Sequence, residues 1–191
     1  TAWLTLLMRG TIKMTRPSVI YFGPDGGPKN GQEPKVYLRS LLFCTAKKGR
    51  IIESMYVSLT RNESKQNFSV WVHGEDRLSR GSGLYVGEEG VLANHHFLAP
   101  RDSNGFVFMV GIYRLEIFAK LFGDKRTLRL FEGELEVNAS SAKALENKKR
   151  GLYFDWGPDA NRYIPHVEEG SPTNPIKRPY TPVDWEKMIT D

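Results

Sequence analysis

The sequence predicts an all-β fold in which two antiparallel sheets pack as a sandwich, followed by an extended, Pro-rich C-terminal tail. Between residues 36 and 137 apolar residues recur mostly with period two, which is typical of half-buried strands. Gly, Asn, Asp and Pro clusters separate these segments, and no helical pattern of strand-connecting length lies between them. A chain of 191 residues with 40% hydrophobic content can fill the core of such a domain.

The first half of the chain predicts four of the strands. A strand near residues 18–22 precedes a Gly- and Pro-rich loop over residues 21–34, and residues 36–45 read as a central strand with both faces covered. Residues 47–50 predict the hairpin turn to the next strand. On that next strand the side chains predicted to point into the core are Ile51, Glu53, Met55, Val57 and Leu59. On the strand after it the predicted inward residues are Phe68, Val70 and Val72, and the predicted outward residues are Ser69, Trp71 and His73.

The second half predicts strands at residues 84–86, 91–98 and 106–110, and then a long pair. In residues 113–121 the side chains of Tyr113, Leu115, Ile117, Ala119 and Leu121 alternate with mostly polar ones. Residues 127–137 run back after a Gly-Asp-Lys turn. Because Leu130 and Phe131 are adjacent apolar residues, we expect a β-bulge there. These strands bring the total to about seven to nine.

The pattern Gly111-x-Tyr113-x-Leu115-x-Ile117 resembles the strand that carries the tyrosine corner of the immunoglobulin-like β-sandwich superfamily. The resemblance implies an immunoglobulin-like sandwich in which the Tyr113 hydroxyl bonds to nearby backbone. The chain departs from true immunoglobulin domains because it lacks their cysteine pair. The alternative is that Tyr113 is an ordinary half-buried strand tyrosine.

Four regions follow from the composition. Residues 1–14 form an N-terminal extension of uncertain order, and residues 15–138 the sandwich. Residues 139–170 carry a short helix, capped by Ser140 or Ser141 and running to Asn147, and an aromatic segment that packs on the sandwich. Residues 171–191 are the Pro-rich tail with a terminal helical turn. Its apolar residues predict docking on its own sandwich or on a neighbouring copy, and they are Tyr180, Trp185, Met188 and Ile189.

Charge and cysteine content restrict the partners and the compartment. The net charge of +5 is spread along the chain, and its densest clusters lie in predicted turns, so we expect no nucleic-acid partner. The apolar opening of residues 2–8 is too short to span a membrane and lacks a signal-peptide pattern. Together with the single Cys44 this favours a reducing, cytoplasmic location. We interpret the three Asn-x-Ser sequons as chance, and they begin at Asn62, Asn67 and Asn138.

No catalytic or metal-binding motif is present, so the sequence predicts a protein that is not an enzyme and binds no cofactor or metal. His95 and His96 are adjacent on a predicted strand and point to opposite faces, which prevents simple chelation. His73 lies near two acidic residues, Glu75 and Asp76, in a predicted turn, and Cys44 has no nucleophile signature around it.

The unusual segment is residues 151–159, which places three aromatic side chains around Asp155. Rings beside a carboxylate are typical of sugar-binding and peptide-binding surfaces, although the same rings could instead cover a sheet edge. The predicted partner-binding residues are Trp71, Tyr153, Asp155, Trp156, Tyr163 and Trp185. We expect a non-enzymatic binding or structural module that contacts a protein partner or its own copies. The alternatives are a carbohydrate-binding module that uses Trp71, Tyr153 and Trp156, and a metal-dependent hydrolase that uses His73, His95 or His96.

Overall fold

The structure, a computed structural model of the chain, describes residues 10–26, 33–74, 78–100 and 105–172. In these residues thirteen strands form two antiparallel sheets that pack face to face, and there is one short helix. The predicted all-β sandwich is therefore confirmed. The elements are β1 Ile12–Met14, β2 Val19–Pro24, β3 Pro34–Cys44, β4 Arg50–Arg61, β5 Ser64–Phe68, β6 Val70–Gly74, β7 Ser79–Arg80, β8 Leu84–Val86, β9 Val91–Leu98, β10 Gly111–Leu121, β11 Thr127–Val137, α1 Ala139–Leu145, β12 Arg150–Gly157 and β13 Arg162–Glu169.

The larger sheet has the strand order β13-β12-β2-β3-β9-β6-β7, and β1 also pairs with β3. The smaller sheet has the order β11-β10-β4-β5, and β8 also pairs with β4. The predicted hairpin at residues 47–50 is therefore wrong. Those residues carry the chain from β3 in one sheet to β4 in the other, because β2 and β9 already flank β3 on its two sides. Gly49 makes this crossing with a positive φ of 67°.

The core lies between the two sheets and follows the alternation of β10. Tyr113, Leu115, Ile117, Ala119 and Leu121 are all buried, as predicted. The bulge at Leu130 is also present, because Ile117 pairs with Phe131 and the next residue of β10 pairs with Arg129.

A second bulge was not predicted, and it alters the inward set of β4. Lys120 pairs with Ser54 and Leu121 pairs with Ile52, so Glu53 is the extra residue. Ile52 is buried as a result, whereas Ile51 is 44% exposed. An insertion of one residue exchanges the two faces of a strand, and a sequence pattern does not show which residue is inserted.

The prediction that Trp71 points away from the core is wrong. The chain passes from β5 in the smaller sheet to β6 in the larger sheet at Ser69, so the alternation begins again there. Trp71 is consequently a core residue with 4% of its surface exposed, while Val70 and Val72 are only half-buried.

The segment before β10 is irregular rather than the predicted strand over residues 106–110. Tyr113 holds it in place: the backbone N–H of Met109 donates to the Tyr113 hydroxyl at 2.8 Å, and the hydroxyl donates to the Met109 carbonyl at 3.0 Å. The predicted bond from Tyr113 to nearby backbone is thus present, and Phe106 and Phe108 pack against the core below it.

The sandwich extends beyond the predicted residues 15–138 at both ends. β1 pairs with β3, and β12 and β13 are strands of the larger sheet rather than a segment packed on it. Helix α1 is capped two or three residues earlier than predicted, because the Asn138 side chain accepts the Ser141 N–H at 2.8 Å. No helix among the described residues could cross a lipid bilayer. The loop at residues 27–32 and the tail from residue 173, with Trp185, lie outside the described residues.

Candidate functional site

The predicted binding residues do not form one site. Tyr153 and Asp155 point away from the smaller sheet, whereas Trp156 follows the buried Phe154 and points toward it, because neighbouring residues of β12 face opposite ways. Trp71 is buried near the other edge of the larger sheet. Trp71, Tyr153 and Trp156 therefore share no surface on which a sugar ring could stack.

A groove runs along the side of the sandwich where both sheets end. Among the described residues β11 pairs only with β10, and β13 pairs only with β12, so two edge strands flank it. Its volume is about 660 Å³. We call it the edge groove, and it is lined by Arg16, Ile112, Gly133, Glu134, Leu135, Glu136, Phe154, Trp156, Asn161, Arg162, Tyr163, Ile164 and Pro165.

Trp156 and Tyr163, both predicted, meet in the edge groove. Their rings pack edge to face with centroids 5.1 Å apart. The Tyr163 hydroxyl donates to the Pro17 carbonyl at 2.7 Å, and burial raises the pKa of Tyr163, although Arg16 acts in the opposite direction. Tyr163 therefore remains a protonated donor at neutral pH.

No pattern in the sequence indicates that Arg16 belongs to this group. The carbon at the centre of its guanidinium lies 4.0 Å from the centroid of the Trp156 ring and 5.8 Å from that of Phe131, which are cation–π distances. Arg16 lies 140 positions from Trp156 in the chain, so only the pairing of β12 with β2 brings the two together. Its guanidinium covers one face of the indole.

Charge is distributed unevenly around the edge groove. Glu134 and Glu136 are exposed on β11, and Arg162 begins β13 on the other side. The neighbouring Glu132 is neutralised by ion pairs with Arg114 and Arg129, at 2.7 and 2.8 Å. Within the described part of the chain, neither Glu134 nor Glu136 takes part in an ion pair. This acidic rim is available to a charged ligand.

The second surface is the side of the larger sheet that faces away from the smaller one, which we call the outer face. Five residues with aromatic rings lie directly opposite one another across its five adjacent strands, in the order His166, Tyr153, Tyr21, Tyr37 and His96. Ring centroids are 5.5 Å apart for His166 and Tyr153, 4.8 Å for Tyr153 and Tyr21, and 4.9 Å for Tyr37 and His96. The β12–β13 end of this row is partly exposed and the β3–β9 end is buried.

Tyr21 lies over two glycines on the outer face. A Cβ on Gly151 would lie 2.0 Å from the Tyr21 ring, and one on Gly23 would lie 2.4 Å from its hydroxyl oxygen. The hydroxyl donates to the Pro24 carbonyl at 2.9 Å. The glycines thus leave room for the ring to lie against the sheet, where it is fully buried.

Lys35 is buried beside this ring. Its Nζ lies 3.1 Å from an Asp25 carboxylate oxygen and donates to the backbone carbonyls of Asp25 and Pro172, at 3.1 and 2.7 Å. Burial lowers the pKa of Lys35, and the Asp25 carboxylate opposes that effect. A buried ammonium needs such partners, and here they tie the beginning of the predicted tail to β3.

Asp155, the remaining predicted residue, lies at the exposed end of the outer face. Its carboxylate is 3.2 Å from Nδ1 of His166, and the Glu168 carboxylate is 3.2 Å from Nε2 of the same ring. The two carboxylates lie on opposite sides of the imidazole, so they do not converge on a point that a metal ion could occupy. His166 was missed because its partners depend on the register between β12 and β13.

The three histidines considered for a metal site are divided between the two faces of the larger sheet. The Nδ1 atom of His95 accepts the indole N–H of Trp71 at 3.1 Å, and His73 stacks on Trp71 with centroids 4.4 Å apart. His96 points to the outer face instead. Among the described residues there is no group of three or more His, Cys, Asp and Glu side chains that could hold a metal ion.

Burial lowers the pKa of both His95 and His96 to about 3, so both rings are neutral at physiological pH. The neighbouring His73 lowers the pKa of His95 further, and Lys35 and then His95 do so for His96. Cys44 is a buried core thiol.

No protein-family model and no curated protein matches the chain. Among solved structures it is similar to a family 123 glycoside hydrolase from Clostridium perfringens, with 8% identity and a TM-score of 0.35, over 66% of this chain and 27% of the hydrolase. It is also similar to the CooA pilin subunit from enterotoxigenic Escherichia coli, with 8% identity and a TM-score of 0.28, over 64% of this chain and 99% of the pilin. The chain therefore spans about a quarter of the hydrolase's length, 27%. Because both TM-scores are low, these similarities support no conclusion about function.

Proposed function

We propose that this chain is a non-enzymatic binding module of immunoglobulin-like type that acts through protein–protein contacts, and that its edge groove binds an extended segment of a partner protein. The observation that carries the proposal is the position of edge strand β11 beside a groove of about 660 Å³ with aromatic side chains at its base. The antiparallel sandwich and the hydrogen bond from the Tyr113 hydroxyl to the Met109 carbonyl support the proposal that the fold is immunoglobulin-like.

An edge strand offers unpaired backbone N–H and C=O groups to an added strand. Gly133 lies in the middle of β11 and has no side chain to obstruct a neighbouring backbone. Pro165 lies in the middle of β13 and has no N–H to donate. Of the two edges that flank the groove, β11 is therefore the one to which we assign the added strand.

The walls of the groove define the chemistry of the bound segment. Alternate side chains of a strand added to β11 would point to the inter-sheet side, toward Leu135 and Trp156, which favours apolar residues at those positions. The others would lie beside Glu134 and Glu136, which favours Lys or Arg. Ile112 is 60% exposed and lies opposite Glu136, so it adds an apolar contact beside these two carboxylates.

The test is selection of a randomised peptide library displayed on phage against the wild-type protein. We expect the selected peptides to alternate basic and apolar residues. We also expect them to bind about tenfold more weakly to the variant Glu134→Lys/Glu136→Lys, which corresponds to about 1.4 kcal/mol for two rim charges. Trp156→Ala should weaken binding as well, by removing the base of the groove.

The matched control is Glu88→Lys/Glu89→Lys, which makes the same charge change in an exposed loop away from the groove. Peptides that bind this control as tightly as the wild type support the assignment. The proposal is wrong if no peptide is enriched, or if the selected peptides bind the groove variants and the wild type equally.

A further inference from the structure

One end of the smaller sheet carries exposed apolar side chains on the face that points away from the larger sheet. Ile51 pairs with Tyr85, and the Phe122 N–H donates to the Ile51 carbonyl at 2.9 Å, so the three residues lie side by side across β8, β4 and the end of β10. Their neighbours Ile52 and Leu121 are buried in the core, so this row points outward. Phe122, Tyr85 and Ile51 are 67%, 57% and 44% exposed, and we call them the apolar row.

The two turns that flank the apolar row are fixed to it. On one side, the Tyr85 hydroxyl donates to the Lys48 carbonyl at 3.2 Å, and its ring lies over Gly49, where a Cβ would collide with it. On the other side, Arg50 forms an ion pair with Asp124, in the turn between β10 and β11, at 2.8 Å. The row and the two turns, residues 45–49 and 122–126, therefore form one continuous surface.

The two turns place positive charge on both sides of the apolar row. Their only acidic residue is Asp124, which is neutralised by its ion pair with Arg50. Their exposed cations are Lys47, Lys48, Lys125 and Arg126. 

The acidic residues near this surface do not cancel its charge. The bulged Glu53 lies next to Lys120 across the β4–β10 pair, so these two charges offset each other. Glu88 and Glu89 lie in the turn from β8 to β9, and the four exposed cations of the two flanking turns outnumber them. The surface thus combines exposed apolar side chains with an excess of positive charge.

We propose that this end of the sandwich binds the surface of a membrane that contains anionic lipids. Aromatic side chains are favoured at the boundary between headgroups and acyl chains, and Phe122 and Tyr85 could both reach it. Lys and Arg keep their charge among anionic headgroups while their aliphatic stems lie along apolar surface. The apolar row does not line the edge groove, and a lipid surface needs no groove to be recognised.

Co-sedimentation with lipid vesicles tests the proposal on the whole chain. We expect binding to vesicles of mixed phosphatidylcholine and phosphatidylserine, and little binding to phosphatidylcholine alone. Lys47→Glu/Lys48→Glu should weaken binding at least about tenfold, because it reverses two charges that attract the surface. Phe122→Ser should weaken binding about tenfold while it leaves every charge in place.

Two matched controls make the same changes at the opposite end of the sandwich. Lys148→Glu/Lys149→Glu reverses an adjacent pair of exposed lysines that follows α1, and Val107→Ser removes an apolar side chain that is 57% exposed. Both should bind the mixed vesicles as the wild type does. No binding to these vesicles, equal binding to neutral ones, or equal losses in the controls would overturn the proposal.

Tryptophan fluorescence locates the contact. In Phe122→Trp we expect anionic vesicles to shift the emission to the blue relative to the wild type, because the added indole enters an apolar environment, whereas Val107→Trp should show no such shift. Binding of poly-glutamate as tightly as of the mixed vesicles, or self-association that Phe122→Ser abolishes, would show that the surface is a protein interface instead. The edge groove takes no part in these measurements, so this inference and the proposed function can fail separately.

Discussion

Acidification should destabilise the protein strongly through His95 and His96. The pKa of each is about 3 in the folded chain, against an ordinary value of 6.5. Between these pH values the unfolded chain binds two protons that the folded chain does not bind. The free energy of unfolding therefore falls as the pH falls from 6.5 toward 3, and the contribution is fully restored above pH 6.5.

The magnitude follows from the size of the shifts. Each histidine contributes about 1.4 kcal/mol for each pH unit within this window. Lowering the pH from about 6.5 to about 4.5 should thus remove roughly 2 kcal/mol for each ring, or roughly 4–5 kcal/mol for both, because the unfolded histidine is only half protonated at pH 6.5. That loss is a large part of the 5–15 kcal/mol by which domains are usually stable.

Urea denaturation at several pH values measures the effect. His96→Phe retains a ring that can stack on Tyr37 but cannot be protonated. The free energy of unfolding of this variant should therefore change with pH less steeply than that of the wild type, by roughly 1.4 kcal/mol for each pH unit, which corresponds to one proton. Leu92→Phe is the matched control, because it places the same residue at an exposed position of the same strand.

Carboxylates also contribute to acid sensitivity, but they contribute equally in the wild type and in both variants. A slope in His96→Phe equal to that of the wild type would refute the argument that burial keeps this ring neutral.

Two further substitutions test contacts that the structure shows. Tyr113→Phe removes the hydroxyl that is hydrogen-bonded to both backbone groups of Met109, and we expect it to lower the free energy of unfolding by about 1–3 kcal/mol. The control is Tyr56→Phe on the other face of the smaller sheet, which should change the free energy of unfolding by less than about 0.5 kcal/mol. Equal effects of the two changes in thermal denaturation would contradict the role of the corner. Gly151→Ala should cost about 1–3 kcal/mol, because its Cβ would lie 2.0 Å from the Tyr21 ring, and most of that cost should vanish in a Tyr21→Ala background. A cost that persists in that background would show that another contact is responsible.

The sequence alone determined which residues of a strand share a face. Side chains alternate with a period of two whatever the strand pairs with, so the pattern identified the buried set of β10 and the strands over residues 91–98 and 127–137. Adjacent apolar residues also marked the bulge at Leu130, because an inserted residue has to break the alternation. The adjacent apolar pair Ile51 and Ile52 lies beside the bulge at Glu53, but the pair alone does not show which of the two points inward. Ile51 and Glu53 were therefore misassigned, whereas the other predicted inward residues of β4 are buried, and they are Met55, Val57 and Leu59.

Only the tertiary structure decided which strands pair. Strand pairing depends on backbone groups that every residue carries, so the sequence did not show that β3 and β4 belong to different sheets, or that the chain changes sheet at Ser69 and buries Trp71. The candidate sites depend on the same pairing. Tyr153 and Trp156 were assigned to one aromatic segment, yet they serve opposite faces, and their partners Tyr21 and Arg16 come from a part of the chain more than a hundred residues away.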